Sequence, residues 1–519
     1  MVRRIQLISL GCSKNRVYSE KLLYNLSNGG VEIVPEETEY SVSKPDAIII
    51  NTCGFIESAK QESINEILKA TEAKKRGWAR KVIVCGCLSE RYRKELTDSI
   101  HEADAFFGTN EWEAILKYLN VLPTGITGKQ NSQYQHKSAS QRSAQRSAQR
   151  NAQRNAQRSA QRNTQRNAQR KPLSQPEEKF ADTGRFLTTP QHYAYLQISE
   201  GCNRHCSYCA IPLIKGKHKS VAMPKLVEEA KRLAAQGVKE LILIAQDTTY
   251  YGMDLYKKRK LGELIEKLSK IKGIEWIRIH YSYPSGFPED VLRVMNSNPK
   301  VCKYLDIPLQ HSSTKVLKMM RRGIDAAGTQ KIIDKIREKV PGVALRTTLI
   351  VGHPGEGEAE FKELMAFIKR NRFEMMGAFT YSCEENTYDA LHYKDSIPQR
   401  VKDVRYKKLM ELQSKISKEN NQKRVGGVEK VLIDSYKDGF FLARSQRESP
   451  EVDGEIIIKA DATQMPTTLA GKKSSGHASA PNGTLQNVTS FEPQQFIGKF
   501  ADVKITAAGE YDLTAEFIK

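Results

Sequence analysis

The first 123 residues alternate between two hydrophobic patterns. Residues 5–10, 47–50 and 82–84 are short continuous apolar runs, whereas residues 19–26, 58–70 and 89–96 repeat apolar positions every three or four places. The first kind predicts buried strands and the second amphipathic helices. Their alternation predicts a parallel sheet flanked by helices. From 184 to 422 six further runs (194–199, 241–245, 276–281, 304–309, 345–351 and 375–381) are separated by helical stretches such as 225–236 and 358–370. Repeated βα units of this kind predict a TIM-type barrel, complete or partial, with its site at the carboxyl ends of the strands. From 423 to 519 the pattern changes to short strands, 431–434, 440–444, 455–459 and 501–505, with turn residues between them. A small β-barrel is expected there, interrupted by a polar stretch at 461–487 that reads as a long loop. The expected fold class is therefore α/β: an N-terminal parallel α/β sheet domain (1–123), a central (βα)6 partial TIM-type barrel (184–422) and a C-terminal small β-barrel (423–519).

Residues 124–183 join the first two domains. From Ser143 to Arg170 they repeat a four-residue unit, Ser/Asn-Ala-Gln-Arg, with one Thr substitution and no apolar side chain larger than alanine. Such a segment cannot bury a core and reads as a low-complexity linker, with an RNA-binding arm as the alternative.

At 519 residues and 39% hydrophobic content the chain is long enough for about three packed domains. No stretch approaches the roughly 20 apolar residues of a transmembrane helix, and the apolar run at 5–10 is too short for a signal peptide. A cytoplasmic protein is expected, without a membrane partner. The formal charge of +22 suggests a polyanionic partner such as a ribosome or RNA. Eight of the arginines lie within residues 142–170, seven of them in the repeat, and without these eight the charge is still +14. Nine scattered cysteines do not form a disulfide framework, so their spacing becomes the next question.

Cys202-Asn-Arg-His-Cys206-Ser-Tyr-Cys209 places three thiols in one loop after the first strand of the expected barrel, at its catalytic face. Full cysteine ligation of a [4Fe–4S] cluster takes four thiolates. Three leave one iron open, as catalytic zinc sites keep an open position. A structural zinc site completed by His205 is the alternative. Cys12, Cys53 and Cys87 are distant in sequence, yet each follows an expected strand. Loops after the carboxyl ends of parallel strands converge on one edge, where ligands bind. Strand alternation buries Cys85 and leaves Cys87 in the loop beyond Gly86. Cys302 and Cys383 read as small core residues.

The loop Cys202–Cys209 matches the CxxxCxxC signature of the radical S-adenosylmethionine (SAM) superfamily, with its usual aromatic at Tyr208. Together with Ser9-Leu-Gly-Cys-Ser-Lys-Asn15, Asn51-Thr-Cys-Gly-Phe-Ile56 and Gly86-Cys-Leu-Ser-Glu-Arg91, it makes the chain resemble the methylthiotransferase family across all three folded pieces. The resemblance implies a radical SAM barrel, a TRAM-type β-barrel that holds the substrate, and two [4Fe–4S] clusters. Cys12, Cys53 and Cys87 would hold the auxiliary cluster, and Cys202, Cys206 and Cys209 the SAM-binding one. SAM contacts are implied at Tyr208, Gln246, Gln310 and Arg346. The implied reaction uses two SAM: one yields a radical that removes hydrogen from an unactivated carbon, the other methylates the sulfur that this carbon captures. A flavodoxin- or ferredoxin-type reductant and a sulfur donor are implied as partners.

Two branches of this family modify, respectively, an adenosine of transfer RNA and the β-carbon of an aspartate in ribosomal protein S twelve of the small subunit. Residues 444–454, with Glu448-Ser-Pro-Glu451 at their centre, resemble the ribosomal-protein branch, although its usual core is Asp-Ala-Pro-Glu. Charge points the same way: residues 424–519 carry 11 basic and 13 acidic residues. An RNA-holding domain should be basic, whereas an acidic surface suits a basic ribosomal protein. Glu448, Glu451, Asp453 and Glu455 are expected to form that surface. An iron–sulfur RNA-binding or sensing protein is the reading from another class, and absence of SAM cleavage in cluster-loaded protein would distinguish it.

Overall fold

A computed structural model describes residues 2–121, 184–460 and 492–518. The repeat at 143–170 and the polar stretch at 461–487 lie outside the described residues. The first apolar runs form β1 (Arg4–Ser9), β3 (Ala47–Thr52) and β4 (Lys81–Gly86), joined by the short β2 (Glu32–Val34) and β5 (Ala105–Phe106). All pair in parallel in the order β2-β1-β3-β4-β5. Helices α1 (Ser13–Asn28), α2 (Glu57–Lys75) and α3 (Cys87–Ser99) follow β1, β3 and β4. The two edge strands have too few residues to show a period in the sequence.

The central runs become β6 (Tyr193–Gln197), β7 (Glu240–Ile244), β8 (Trp276–Ile279), β9 (Val301–Asp306), β10 (Ala344–Val351) and β11 (Met375–Thr380). They form one parallel sheet in the order β11-β10-β9-β8-β7-β6, which does not close on itself. One face, carrying Leu241, Leu243, Ile277, Ile279, Leu305, Leu345 and Leu349, packs under the helices. The other face is mixed, with Tyr195, Ile242, Ile244 and Trp276 beside the buried ions Glu240 and Arg278, so several of the runs lack a clean alternation.

That second face is covered by the other two lobes. Val17 of α1 packs against Tyr193, Tyr195, Ile242 and Ile244. Buried ions clamp the helix there: Arg185 pairs with Glu20 and, at 3.3 Å, with Glu229. From the other side comes a closed barrel of β12 (Val428–Lys437), β13 (Phe440–Arg444), β14 (Ile456–Lys459), β15 (Phe500–Ala508) and β16 (Leu513–Phe517). Trp276 meets Phe500 edge-on with ring centroids 4.9 Å apart. Glu240 accepts from Arg278 Nε at 2.7 Å and pairs with Arg444 at 2.9 Å. Arg444 also holds Asp434, which binds His192 Nε2 at 2.7 Å.

Here the structure corrects the expected acidic docking surface. The segment after β13 packs against the second face of the central sheet, and three of its four acids are engaged there, with Glu455 left exposed. Glu448 is buried on Arg424 at 2.5 Å. Glu451 accepts from Tyr193 and Tyr195 at 3.1 and 2.9 Å. Asp453 accepts from Tyr304 at 2.8 Å and from Arg346 Nε at 3.1 Å. Cys383, expected in the core, is exposed, whereas Cys302 and Cys85 are buried.

Burial would raise the Glu240 carboxyl, but Arg444 and Arg278 outweigh it and hold it below the usual carboxylate range. A lowered folded pKa contributes stability that is fully present above the unfolded value of about 4.3 and is lost as pH falls through the folded one. Glu240→Gln leaves the buried Arg278 without a carboxylate and takes one of two from Arg444, and should cost about 3–5 kcal/mol at neutral pH. Thermal denaturation across a pH series checks this: the gap from the parent protein should be widest above the unfolded value and close in acid.

Candidate functional site

Three loops meet at the carboxyl edge of the N-terminal sheet. Cys12 caps α1, Cys53 follows β3, and Cys87 opens α3. Glycines permit the approach. A Cβ on Gly11, at φ +87°, would lie 2.7 Å from Cys53 Cβ and 2.8 Å from its Sγ, and one on Gly86, at φ +96°, 2.4 Å from Asn51 Oδ1. Asn15 knits the loops by donating to the carbonyls of Leu10 (2.9 Å) and Thr52 (3.0 Å). Its Oδ1 lies 3.7 Å from Cys87 Sγ. Asn51 donates back to the Asn15 carbonyl at 2.9 Å. The loop motifs are thus held by their own asparagines.

Burial pushes the Cys53 thiol up to about 12 and also raises that of Cys87, where Lys215 opposes it. At Cys12 burial is outweighed by Lys14, by the amides of Asn15 and Lys14, and by Lys215, so its thiol lies below the usual range.

The second cysteine group follows β6 in the central lobe. The Cys202 amide donates to the Gly216 carbonyl at 3.1 Å, and the Cys209 amide to that of Cys206 at 3.1 Å. Two sulfurs receive donors: the Arg204 amide reaches Cys202 Sγ at 3.3 Å, and Arg322 Nη1 reaches Cys206 Sγ at 3.3 Å. Arg322 also donates to Tyr208 OH (3.4 Å) and to the Pro308 carbonyl (2.6 Å). Arg204 is fixed by Asp247 at 2.8 Å. Arg322 escaped the sequence reading; the only signal was a pair of arginines before Gly323, beyond the loop that follows β9.

The two groups are neighbours. Ala210, directly after Cys209, and Ile214 of α4 (Ile211–Lys215) pack against Cys87. Lys215, paired with Glu200 at 2.8 Å, acts on both Cys87 and Cys12. Arg91 and Lys60 of the first lobe hold Glu384 of the central lobe at 2.9 and 3.0 Å, bracing the same junction.

Of the remaining sequence candidates, Gln246 lies just past β7, and its Oε1 is buried without a protein partner. Gln310 adopts φ +73°, with its amide on the Thr348 carbonyl and its own carbonyl accepting from Ile350. Tyr208 faces Arg322. Arg346 departs from expectation: it lies early in β10 between Asp306 (3.7 Å) and Asp453 (3.1 Å), drawn to the C-terminal segment by two carboxylates.

Sulfurs with cationic and amide donors suit thiolates bound to a cluster, since such hydrogen bonds stabilise ligating sulfur. The orphaned Gln246 Oε1 leaves an acceptor free for a cofactor's N–H groups. Among the described residues no three His, Cys, Asp or Glu side chains gather tightly enough to hold a single metal ion.

Three family models match the chain: the radical SAM superfamily over residues 196–368, the uncharacterized protein family UPF0004 over 4–108, and the TRAM domain over 425–518. The chain is 42% identical to a ribosomal protein uS12 methylthiotransferase RimO of Cytophaga hutchinsonii, covering 99% of this chain and 98% of that one. It is 43% identical to that of Christiangramia forsetii, over 99% and 94%. Among solved structures it is similar to the radical SAM methyltransferase TsrM of Kitasatospora setae, with a TM-score of 0.47 and 12% identity over 73% of this chain and 72% of that one. Among the described residues no helix is long and apolar enough to cross a membrane.

The close loop crossing can be tested with Gly11→Ala. The left-handed backbone alone should cost about 1–2 kcal/mol, and the added methyl must displace Cys53. The buried Cys53 thiol should become reactive to iodoacetamide, read by mass spectrometry, and the melting temperature should fall. Unchanged alkylation would show that the loops have room to spare.

Proposed function

The chain belongs to the ribosomal protein uS12 methylthiotransferases, and from that premise we propose that it adds a methylthio group to the β-carbon of an aspartate in uS12, using two SAM per turnover. One observation carries the assignment to this site. The two cysteine groups lie side by side across the contact of Cys87 with Ala210 and Ile214, the first with Lys215 nearby and the second with Arg322 on Cys206.

We assign Cys202, Cys206 and Cys209 to one [4Fe–4S] cluster and Cys12, Cys53 and Cys87 to a second. When bound, the first would supply, with SAM, a radical able to take hydrogen from carbon, and the second would hold the sulfur that is methylated and transferred. The chain's own residues position and shield. Arg322 and the Arg204 amide stabilise negative charge on sulfur at Cys206 and Cys202. Tyr208, Gln246 and Gln310 are assigned to SAM, Gln246 through its unpartnered oxygen. Arg346 is not assigned to it. Lobes 1–123, 184–422 and 423–519 are taken as the functional units, joined by 124–183. A flavodoxin- or ferredoxin-type reductant, a separate sulfur donor and a cytoplasmic site of action, where uS12 is found, complete the reading.

The acids of residues 448–455 no longer argue for a basic protein substrate, because three of them are engaged within the molecule. The substrate rests on the likeness to the uS12 enzymes. Mass spectrometry of uS12 after incubation with reconstituted protein, SAM, reductant and sulfide should show a methylthio adduct on an aspartate. Modification of a transfer RNA adenosine with uS12 untouched would overturn the reading. For the cofactors, replacing Cys202, Cys206 and Cys209 together with Ala should halve the bound iron and abolish SAM cleavage. Replacing Cys12, Cys53 and Cys87 should also halve the iron but leave uncoupled cleavage. Full iron in either variant would overturn the two-cluster assignment.

A further inference from the structure

Several cations line the junction between the first and central lobes, and nearly all have an acid. Lys215 holds Glu200 at 2.8 Å, Arg204 holds Asp247 at 2.8 Å, Arg16 holds Glu451 at 3.4 Å and Arg346 holds Asp453 at 3.1 Å. Lys14 differs. It lies two residues after Cys12 in the first turn of α1, half-buried, with its Nζ 3.4 Å from the centroid of the Tyr281 ring. Among the described residues no carboxylate stands within ion-pair distance of it. The contact with Tyr281 partly offsets removing an ammonium from water, but it gives the ammonium no carboxylate to pair with.

The partner of Lys14 is itself held under strain. Tyr281, just beyond β8, adopts φ +57°, a left-handed backbone that a bulky side chain rarely takes. Its amide donates to Asp306 Oδ2 at 3.0 Å, its carbonyl accepts from the Thr248 amide at 3.1 Å, and its hydroxyl lies 3.4 Å from Ser13 Oγ. Thr248 is next to Asp247, the residue that fixes Arg204 beside Cys202. The strained ring therefore ties the Cys12 loop to the framework of the Cys202 loop, with the unpaired ammonium on it. Strain of this kind persists where surrounding contacts impose it and concentrates at functional positions.

We propose that Lys14 receives the side-chain carboxylate of the residue to be modified, with Tyr281 holding the ammonium for it; this rests on the uS12 aspartate reading above. A carboxylate is the acceptor that a half-buried, unpaired ammonium lacks, and its bond is charge-assisted. Seating that group on Lys14 fixes the adjacent carbon between the two cysteine sites. It also makes charge the basis of selection: asparagine, of the same shape but neutral, loses the ion pair.

The test measures binding by cluster-loaded protein, not turnover. Fluorescence-labelled uS12 is compared with uS12 in which the modified aspartate, located by mass spectrometry, is changed to Asn. The parent protein should bind the aspartate form more tightly by on the order of 10-fold. Lys14→Met should remove this preference, and Lys14→Arg should keep much of it. Because the readout is a ratio, a variant that merely binds everything weakly still reports selection. If Lys14→Met binds neither ligand, Lys14→Arg decides, a kept preference supporting the proposal and a lost one overturning it. A preference retained by Lys14→Met, or absent from the parent, overturns the Lys14 assignment while leaving the uS12 reading intact. Failure of the parent to bind uS12 at all overturns both.

Discussion

A six-stranded parallel sheet that curves without closing has an inner face that must be taken out of water. That requirement governs the molecule. Tyr193, Tyr195, Ile242 and Ile244 would otherwise be bare, and Glu240 and Arg278 would be solvated ions rather than a buried pair. At about 25 cal/mol per Å² of apolar surface the incentive to cover such a face is large, and neither outer lobe suffices alone. Helix α1 brings Val17 to one part of it and the segment after β13 brings Ser449, Glu451 and Asp453 to another.

The geometry of the cysteine groups follows from how that face is covered. Cys12 stands at the amino end of α1, and the Glu20–Arg185–Glu229 ions clamp that helix to the central lobe. Anchoring α1 therefore sets where Cys12 and Lys14 lie relative to the loop of Cys202, Cys206 and Cys209. The same anchoring brings α3 against α4, so that Cys87 touches Ala210 and Ile214. Lobe packing and site geometry are consequences of one contact set.

Charge is used for joining as much as for recognition. The C-terminal lobe carries more acids than bases, yet Glu448, Asp453 and Asp434 are committed to Arg424, Arg346 and Arg444. Buried pairs of this kind are costly to desolvate and strongly unfavourable to break, so they enforce one arrangement of lobes more than they add stability. Lys14, which has no carboxylate within ion-pair distance among the described residues, lies where the first and central lobes meet rather than on the acidic lobe.

Much of this was determined by local sequence. Apolar runs long enough to be strands specified the parallel sheets, because central strands such as Ala47–Thr52 and Glu240–Ile244 are buried on both faces. The position of each cysteine after a strand specified which edge it occupies, because parallel strands all present their carboxyl ends to one side. Residues within a motif, such as Asn15 and Asn51, carry their own hydrogen bonds and were legible with it. What tertiary structure alone decided is how elements distant in sequence share a cavity. Nothing local distinguishes the acids of 448–453 from a solvated face, since their partners Arg424, Tyr193, Tyr195, Tyr304 and Arg346 come from other elements. Arg346 was misplaced for the same reason: a residue's place along a strand says where it stands, but not which charge reaches it from another lobe. Arg322 beside Cys206, across 116 positions of sequence, is the same lesson at the site, because a long side chain finds its partner only after the strands are assembled.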